Sequence, residues 1–181
     1  MPTRQQIRRD QIILALVERL EHKEISEKLR IFKDLKAKCA EIRKYLKNPG
    51  VASNPYGGYL GGWPDLTDAM NSGDIDVIRN PIINIANSLN YEITVLRAID
   101  EARSHNKPIN KKRLTEELSY SNALERNAIV GLKKIFSNPL FIKVRPQGEK
   151  LKPGIIRLLN AYSKIYNKSF KKTLALLRNL N

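Results

Sequence analysis

The sequence predicts a mainly α protein that carries one small two-stranded β element in its C-terminal half. Apolar residues recur at steps of three and four along most of the 181 residues, which is the period of an amphipathic helix. The exception is a short apolar run at residues 140–144, which a turn-forming segment follows and which favours a strand. A hydrophobic fraction of 41%, a charged fraction of 28% and a mean hydropathy of −0.43 are typical of a folded globular chain.

Charge is the most informative feature of the composition. The formal net charge is +15 and the sequence pI is about 10.0. Residues 91–181 hold 19 Lys and Arg against 7 Asp and Glu, whereas residues 1–90 hold 14 against 11. Such an uneven excess predicts a polyanionic partner that meets the C-terminal half.

The residue types argue against metal, cofactor and membrane functions. Cys39 is the single cysteine, and no Cys or His cluster surrounds it that could form a zinc site. His22 and His105 lie among charged residues, which predicts solvated side chains without chemistry. The longest apolar run near the N-terminus, residues 12–17, is too short to span a bilayer. No nucleophile is paired with a base, so we expect no catalytic residues, no cofactor and no metal. The single cysteine and the lack of a membrane-spanning run predict a cytoplasmic protein, and its basic charge predicts association with the nucleoid.

The first 47 residues predict helix with one interruption. An apolar stripe runs from Ile13 to Leu46 and slips near residues 21–24, which indicates either a break between two helices or one helix with a phase shift. The stripe either packs on the chain's own core or pairs with a second copy. Residues 1–90 are therefore predicted to be a helical region with a possible role in dimerisation.

The middle of the chain predicts loops and short helices. Residues 48–50 end the helix, and a glycine-rich loop at residues 54–64 carries Tyr56, Tyr59 and Trp63, whose rings either stack on bases or pin the loop to the core. The loop lacks the Lys-Ser or Lys-Thr of a phosphate-binding loop. Short helices are expected at residues 64–71 and 81–90.

The C-terminal half predicts three helices followed by a ribbon. A helix at residues 91–105 precedes a second that Asn110 caps and that ends near Leu118. Residues 119–122 are the predicted turn, and the third helix covers residues 122–136. Two strands follow, at residues 140–144 and at Leu151, around a basic turn at residues 145–150.

This order is that of a winged helix-turn-helix, so residues 91–181 are predicted to be a DNA-binding domain with a C-terminal helix. Winged helices also dock proteins, but the charge of this half favours DNA. Asn122, Arg126 and Asn127 open the third helix and have the chemistry to read base edges. Lys133 and Lys134 are expected on phosphates, while Lys143, Arg145 and Lys150 on the wing are expected to reach the backbone or minor groove.

The end of this half resembles the winged helix-turn-helix of LysR-type transcriptional regulators over residues 96–166. The resemblance rests on Pro-Leu-Phe at residues 139–141, the wing glycine Gly148, the Leu-Lys-Pro-Gly turn at residues 151–154 and the pair Leu158 and Leu159. It implies the fold and DNA binding. The large ligand-binding domain of that family is missing from this sequence, so effector sensing by such a domain is not implied.

A helix from residue 153 to residue 180 is predicted to end the chain and offers a second surface for pairing. The expected function is sequence-specific binding of double-stranded DNA by a homodimer that regulates transcription. The alternatives are a structural or assembly protein that coats DNA without strong sequence preference and an RNA-binding protein.

Overall fold

Long α-helices form nearly all of the described part of the chain. The structure is a computed structural model that describes residues 2–46, 76–138 and 142–180. Its helices are α1 (Arg4–Arg19), α2 (Lys23–Arg43), α3 (Asp76–His105), α4 (Lys111–Ser137), α5 (Pro146–Glu149) and α6 (Lys152–Arg178). The predicted loop and helix between residues 48 and 75, with Tyr56, Tyr59 and Trp63, lie outside the described residues.

The core lies between α2, α3, α4 and α6. The most extensive contacts join α3 to α4, α2 to α6 and α4 to α6, while α1 packs on α2 and α3. Leu35, Ile42 and Leu177 are completely buried, so both predicted apolar stripes contribute to this core. The division expected at residue 90 falls inside α3, and helices from both sides of it share the core.

The predicted break near residues 21–24 is confirmed as the corner between α1 and α2. Glu21 takes a φ of 54°, and the His22 side chain caps α2 by accepting a hydrogen bond from the Ile25 amide at 3.2 Å. The prediction of a solvated His22 was wrong, because the ring is fully buried. His105, by contrast, is exposed as expected.

Two separately predicted helices at residues 81–90 and 91–105 form the single helix α3. Pro81 lies inside the helix, little more than one turn after its start, and it cannot donate to the Val77 carbonyl, so the helix lacks one backbone hydrogen bond there. The segment that follows Pro81 contains neither Gly nor Pro up to His105. The helix therefore continues through residue 90.

The predicted turn of the helix-turn-helix was also wrong. Asn110 caps α4 as expected, its side chain accepting from the Arg113 amide at 3.1 Å, but α4 runs unbroken from Lys111 to Ser137. Ser119 remains within it, and its hydroxyl donates to the Thr115 carbonyl one turn back at 2.8 Å. Residues 119–122 contain no Gly or Pro, so polar composition alone does not end the helix.

The two-stranded wing is absent from the described residues. Val144 instead forms an isolated antiparallel bridge with Leu46, and the Arg145 amide donates to the Tyr45 carbonyl at 2.8 Å. Pro146 then opens the one-turn helix α5 where the wing turn was expected. Gly148 permits this packing, since a Cβ there would lie 2.7 Å from the Tyr45 Cβ. The described part of the chain is mainly α as predicted, and the winged helix-turn-helix is not formed within it, while residues 140 and 141 of the predicted first strand lie outside the described residues.

Candidate nucleic-acid interface

The outer face of α6 carries basic residues without any acidic residue in the helix. This 27-residue helix contains seven Lys and Arg and no Asp or Glu. Lys152 is buried and Lys172 pairs with Glu24 at 2.9 Å. The other five are exposed, and we call them the basic ridge: Arg157, Lys164, Lys168, Lys171 and Arg178.

The basic ridge is straight and uncompensated. At about 100° per residue its members fall within roughly a quarter of the helix circumference, together with the exposed Asn160 and Asn167. Arg157 and Arg178 are separated by about 30 Å along the axis at about 1.5 Å per residue. None of the ion pairs among the described residues involves a ridge side chain. The ridge is thus a row of cationic side chains along one face of α6, without a carboxylate partner among the described residues.

A buried polar cluster on the opposite face fixes the orientation of α6. Lys28 of α2 lies between two carboxylates, with Nζ 2.5 Å from Oε2 of Glu92 on α3 and 3.1 Å from Oε1 of Glu125 on α4. Tyr162 of α6 donates its hydroxyl to Oε1 of Glu125 at 2.6 Å. All four residues are at most 3% exposed, so the cluster joins the four long core helices through α6.

A second chain of hydrogen bonds continues the cluster toward α1. Ser169 and Thr173 of α6 donate to Oε1 of Glu92 at 2.7 and 2.8 Å. Because Thr173 donates to Glu92, it accepts from Nε2 of His22 at 2.8 Å. Nδ1 of His22 accepts from the Ile25 amide, so this arrangement fits the neutral ring with the proton on Nε2.

The pKa directions define the charge state of the cluster. Burial opposes the charged form of Lys28, but Glu92 and Glu125 outweigh it and raise its pKa. Burial likewise opposes ionised Glu92, yet Lys28 and the two hydroxyls lower its pKa. Burial prevails at Glu125 and raises its pKa. Lys28 and Glu92 therefore form the ion pair, and Glu125 is the first carboxyl of the cluster to take up a proton as the pH falls.

The residues predicted to bind DNA on the third helix separate on α4. Arg126, Lys133 and Lys111 project from the same side of α4. The Lys111 ammonium contacts the carbonyl of Leu180, which closely follows α6, so this side of α4 is the flank beside α6. Arg126 is exposed and Lys133 half-buried. Asn127 and Lys134 are exposed on other sides of α4.

Asn122 is poorly placed to read a base. Its side chain is half-buried, and its Oδ1 is buried without a hydrogen-bond partner among the described residues. The predicted wing residues Lys143, Arg145 and Lys150 are exposed around α5. They precede the N-terminal end of α6 in the sequence and are not on a β-ribbon.

The ridge itself was missed by the sequence argument, which placed the site on the third helix and the wing. The signal was present, since the segment from residue 152 to residue 178 contains no acidic residue. Its cations also recur at helical spacing on the face that the apolar residues leave free.

Comparison with known proteins gives no further assignment, because no protein-family model, curated protein or solved structure matches the chain. The described residues contain no group of three or more His, Cys, Asp or Glu side chains that could hold a metal ion. None of the helices described is both long enough and apolar enough to cross a membrane.

Proposed function

We propose that this protein binds double-stranded DNA through the basic ridge of α6, mainly by phosphate contacts. The observation that carries the proposal is a helix with five exposed, unpaired cations on one face and no acidic residue. Lys and Arg that neutralise phosphates supply the salt-dependent bulk of DNA affinity. A ridge of about 30 Å spans about nine base pairs at about 3.4 Å each.

The chemistry of the ridge favours binding with little sequence preference. Three of its five cations are lysines, which act as point charges on phosphates, whereas base recognition relies on bidentate groups held in a groove. Arg126 on the adjacent flank of α4 is an exposed guanidinium outside the ridge that could add a base contact. The structural or assembly role is thus favoured over a sequence-specific regulator.

Neutralising the ridge tests the proposal. Lys164, Lys168 and Lys171, all changed to Gln, should weaken binding to several unrelated duplexes by a similar factor of about 100 or more, since about three phosphate contacts are lost. The matched control changes Lys33 and Lys36 of α2 and its C-cap residue Lys44 to Gln. These changes remove the same charge from exposed positions on a helix that also carries the exposed Glu27, Asp34 and Glu41.

Fluorescence anisotropy with labelled duplexes measures both variants. Equal losses in the two variants would show attraction to net charge alone and contradict a ridge site. A strong preference for one duplex would restore the sequence-specific regulator, and tighter binding to single-stranded RNA than to any duplex would replace DNA as the partner.

A further inference from the structure

The N-terminal arm, which we define as residues 4–14 of α1, is largely exposed among the described residues. Every residue of the arm is exposed except the half-buried Ile13. Ile7, Ile12 and Leu14 are 45%, 50% and 49% exposed, which is unusual for large apolar side chains on a short helix. α1 is anchored in part by Ile13, which packs against the core, and mainly farther along, where Leu16 and Val17 are buried and Arg19 binds Asp100 at 2.8 Å.

An isolated helix of this length is marginal in water. The capping box between Thr3 and Gln6 satisfies its first amides, but among the described hydrophobic residues of the arm only Ile13 packs against the core. The arm therefore has the properties of a helix that is completed by a partner.

A groove between α3 and α4 offers the complementary shape. Its open volume is about 280 Å³, and its walls include Asn84 and Asn87 from α3 and Tyr120 and Leu124 from α4. Tyr120 is 68% exposed and Leu124 is 38% exposed. Ile83, one turn before Asn87, is also exposed.

The exposed apolar residues divide between these two surfaces. Among the described residues seven large hydrophobic side chains are exposed, three on the arm and three on or beside the groove, with Val130 alone elsewhere. One surface is a convex helix and the other a concave groove, as in recognition of an amphipathic helix by a groove.

One face of the arm also matches the groove chemically. Arg4, Ile7, Gln11 and Leu14 follow the i, i+3, i+7, i+10 pattern and share one side of α1. Among the described residues that line the groove, Glu117 is the charged one. Its carboxylate accepts from Arg113 and Tyr91 and would also meet Arg4. Gln11 would meet the carboxamides of the groove, and the two apolar side chains would meet Tyr120 and Leu124.

We propose that the N-terminal arm of one copy docks in the α3–α4 groove of a second copy, and that the exchange is reciprocal. A helix about 16 Å long and about 10 Å wide covers too little surface for a stable interface of about 1,200–2,000 Å². Reciprocal exchange doubles the contact and closes a two-fold dimer. The arm cannot fill its own groove, since in its own chain it is exposed and its base is fixed by buried Leu16 and Val17.

Lysine substitutions with matched controls test the exchange by sedimentation equilibrium at micromolar concentration. Leu14→Lys on the arm and Leu124→Lys in the groove should each weaken dimerisation about tenfold or more, since each places a charge in the contact. Ile12→Lys on the other side of the arm and Val130→Lys on another side of α4 alter equally exposed positions. These controls should dimerise like the unmodified protein.

Mixing the two disruptive variants provides the decisive result. The Leu124→Lys protein retains an intact arm and the Leu14→Lys protein an intact groove, so their mixture should form a heterodimer with one good contact. A monomeric unmodified protein, or equal effects of all four substitutions, would overturn the exchange. The outcome is independent of DNA binding, because the arm and the groove lie outside the ridge and association is measured without nucleic acid.

Discussion

At the scale of single residues, the buried polar cluster is the feature that the sequence argument could not foresee. His22, Lys28, Glu92 and Glu125 belong to residue types that are mostly exposed. Their burial is possible only because each finds partners far along the chain, such as Lys28 with Glu92 and His22 with Thr173. A local pattern of charged residues cannot reveal such pairing.

The buried His22 predicts a pH dependence of stability. Burial lowers its pKa below the usual 6.5, although Glu92 and Glu24 partly oppose the shift and Lys172 and Lys28 reinforce it. The unfolded chain therefore takes up the proton first as the pH falls. The stabilising contribution is present above pH 6.5 and is lost as the pH falls from there toward the lowered pKa of the folded state.

Urea unfolding over this range measures the effect against His22→Asn, which can still cap α2 but does not titrate. The raised pKa of Glu125 changes stability with pH in the opposite direction to His22. Both proteins contain Glu125, so its contribution is the same in both. The free energy of unfolding of the unmodified protein should fall relative to the variant by up to about 1.4 kcal/mol per pH unit. Parallel pH profiles would show that His22 does not titrate as described.

At the scale of elements, the sequence argument was correct where the local sequence alone determines the structure. The corner near Glu21, the cap at Asn110 and the C-terminal helix α6 are of this kind. The turn at residues 119–122 and the wing were wrong because each depended on tertiary context. Polar residues within α4 stay helical, and Val144 pairs with Leu46 from a distant part of the chain.

The continuity of α4 predicts the effect of a proline at Tyr120. In the interior of a helix, Tyr120→Pro loses a backbone hydrogen bond and clashes with the carbonyl one turn back, at a cost of about 3 kcal/mol. Tyr120→Ala removes the same exposed ring and should change stability by about 0.5 kcal/mol or less. Equal stability of the two variants in urea unfolding would indicate a turn at this position instead of a helix.

At the scale of the whole molecule, the charge excess is organised by the fold. Counting charges along the sequence shows that residues 91–181 carry most of the positive excess. The count does not show which surface of the folded protein carries that charge. The buried cluster orients α6 so that its apolar and hydroxyl side chains face the core and its basic ridge faces outward. Sequence alone located the charged half, and the packing of α6 located the surface.

Counterion release gives the most direct test of this surface. The logarithm of the DNA association constant should fall linearly with the logarithm of salt concentration, with a slope of about 0.9 for each phosphate neutralised. Glutamine at Lys164, Lys168 and Lys171 should therefore reduce the magnitude of the slope by about 2 to 3. The α2 control with glutamine at Lys33, Lys36 and Lys44 should keep the slope of the unmodified protein, whereas an unchanged slope in the ridge variant would contradict binding through α6.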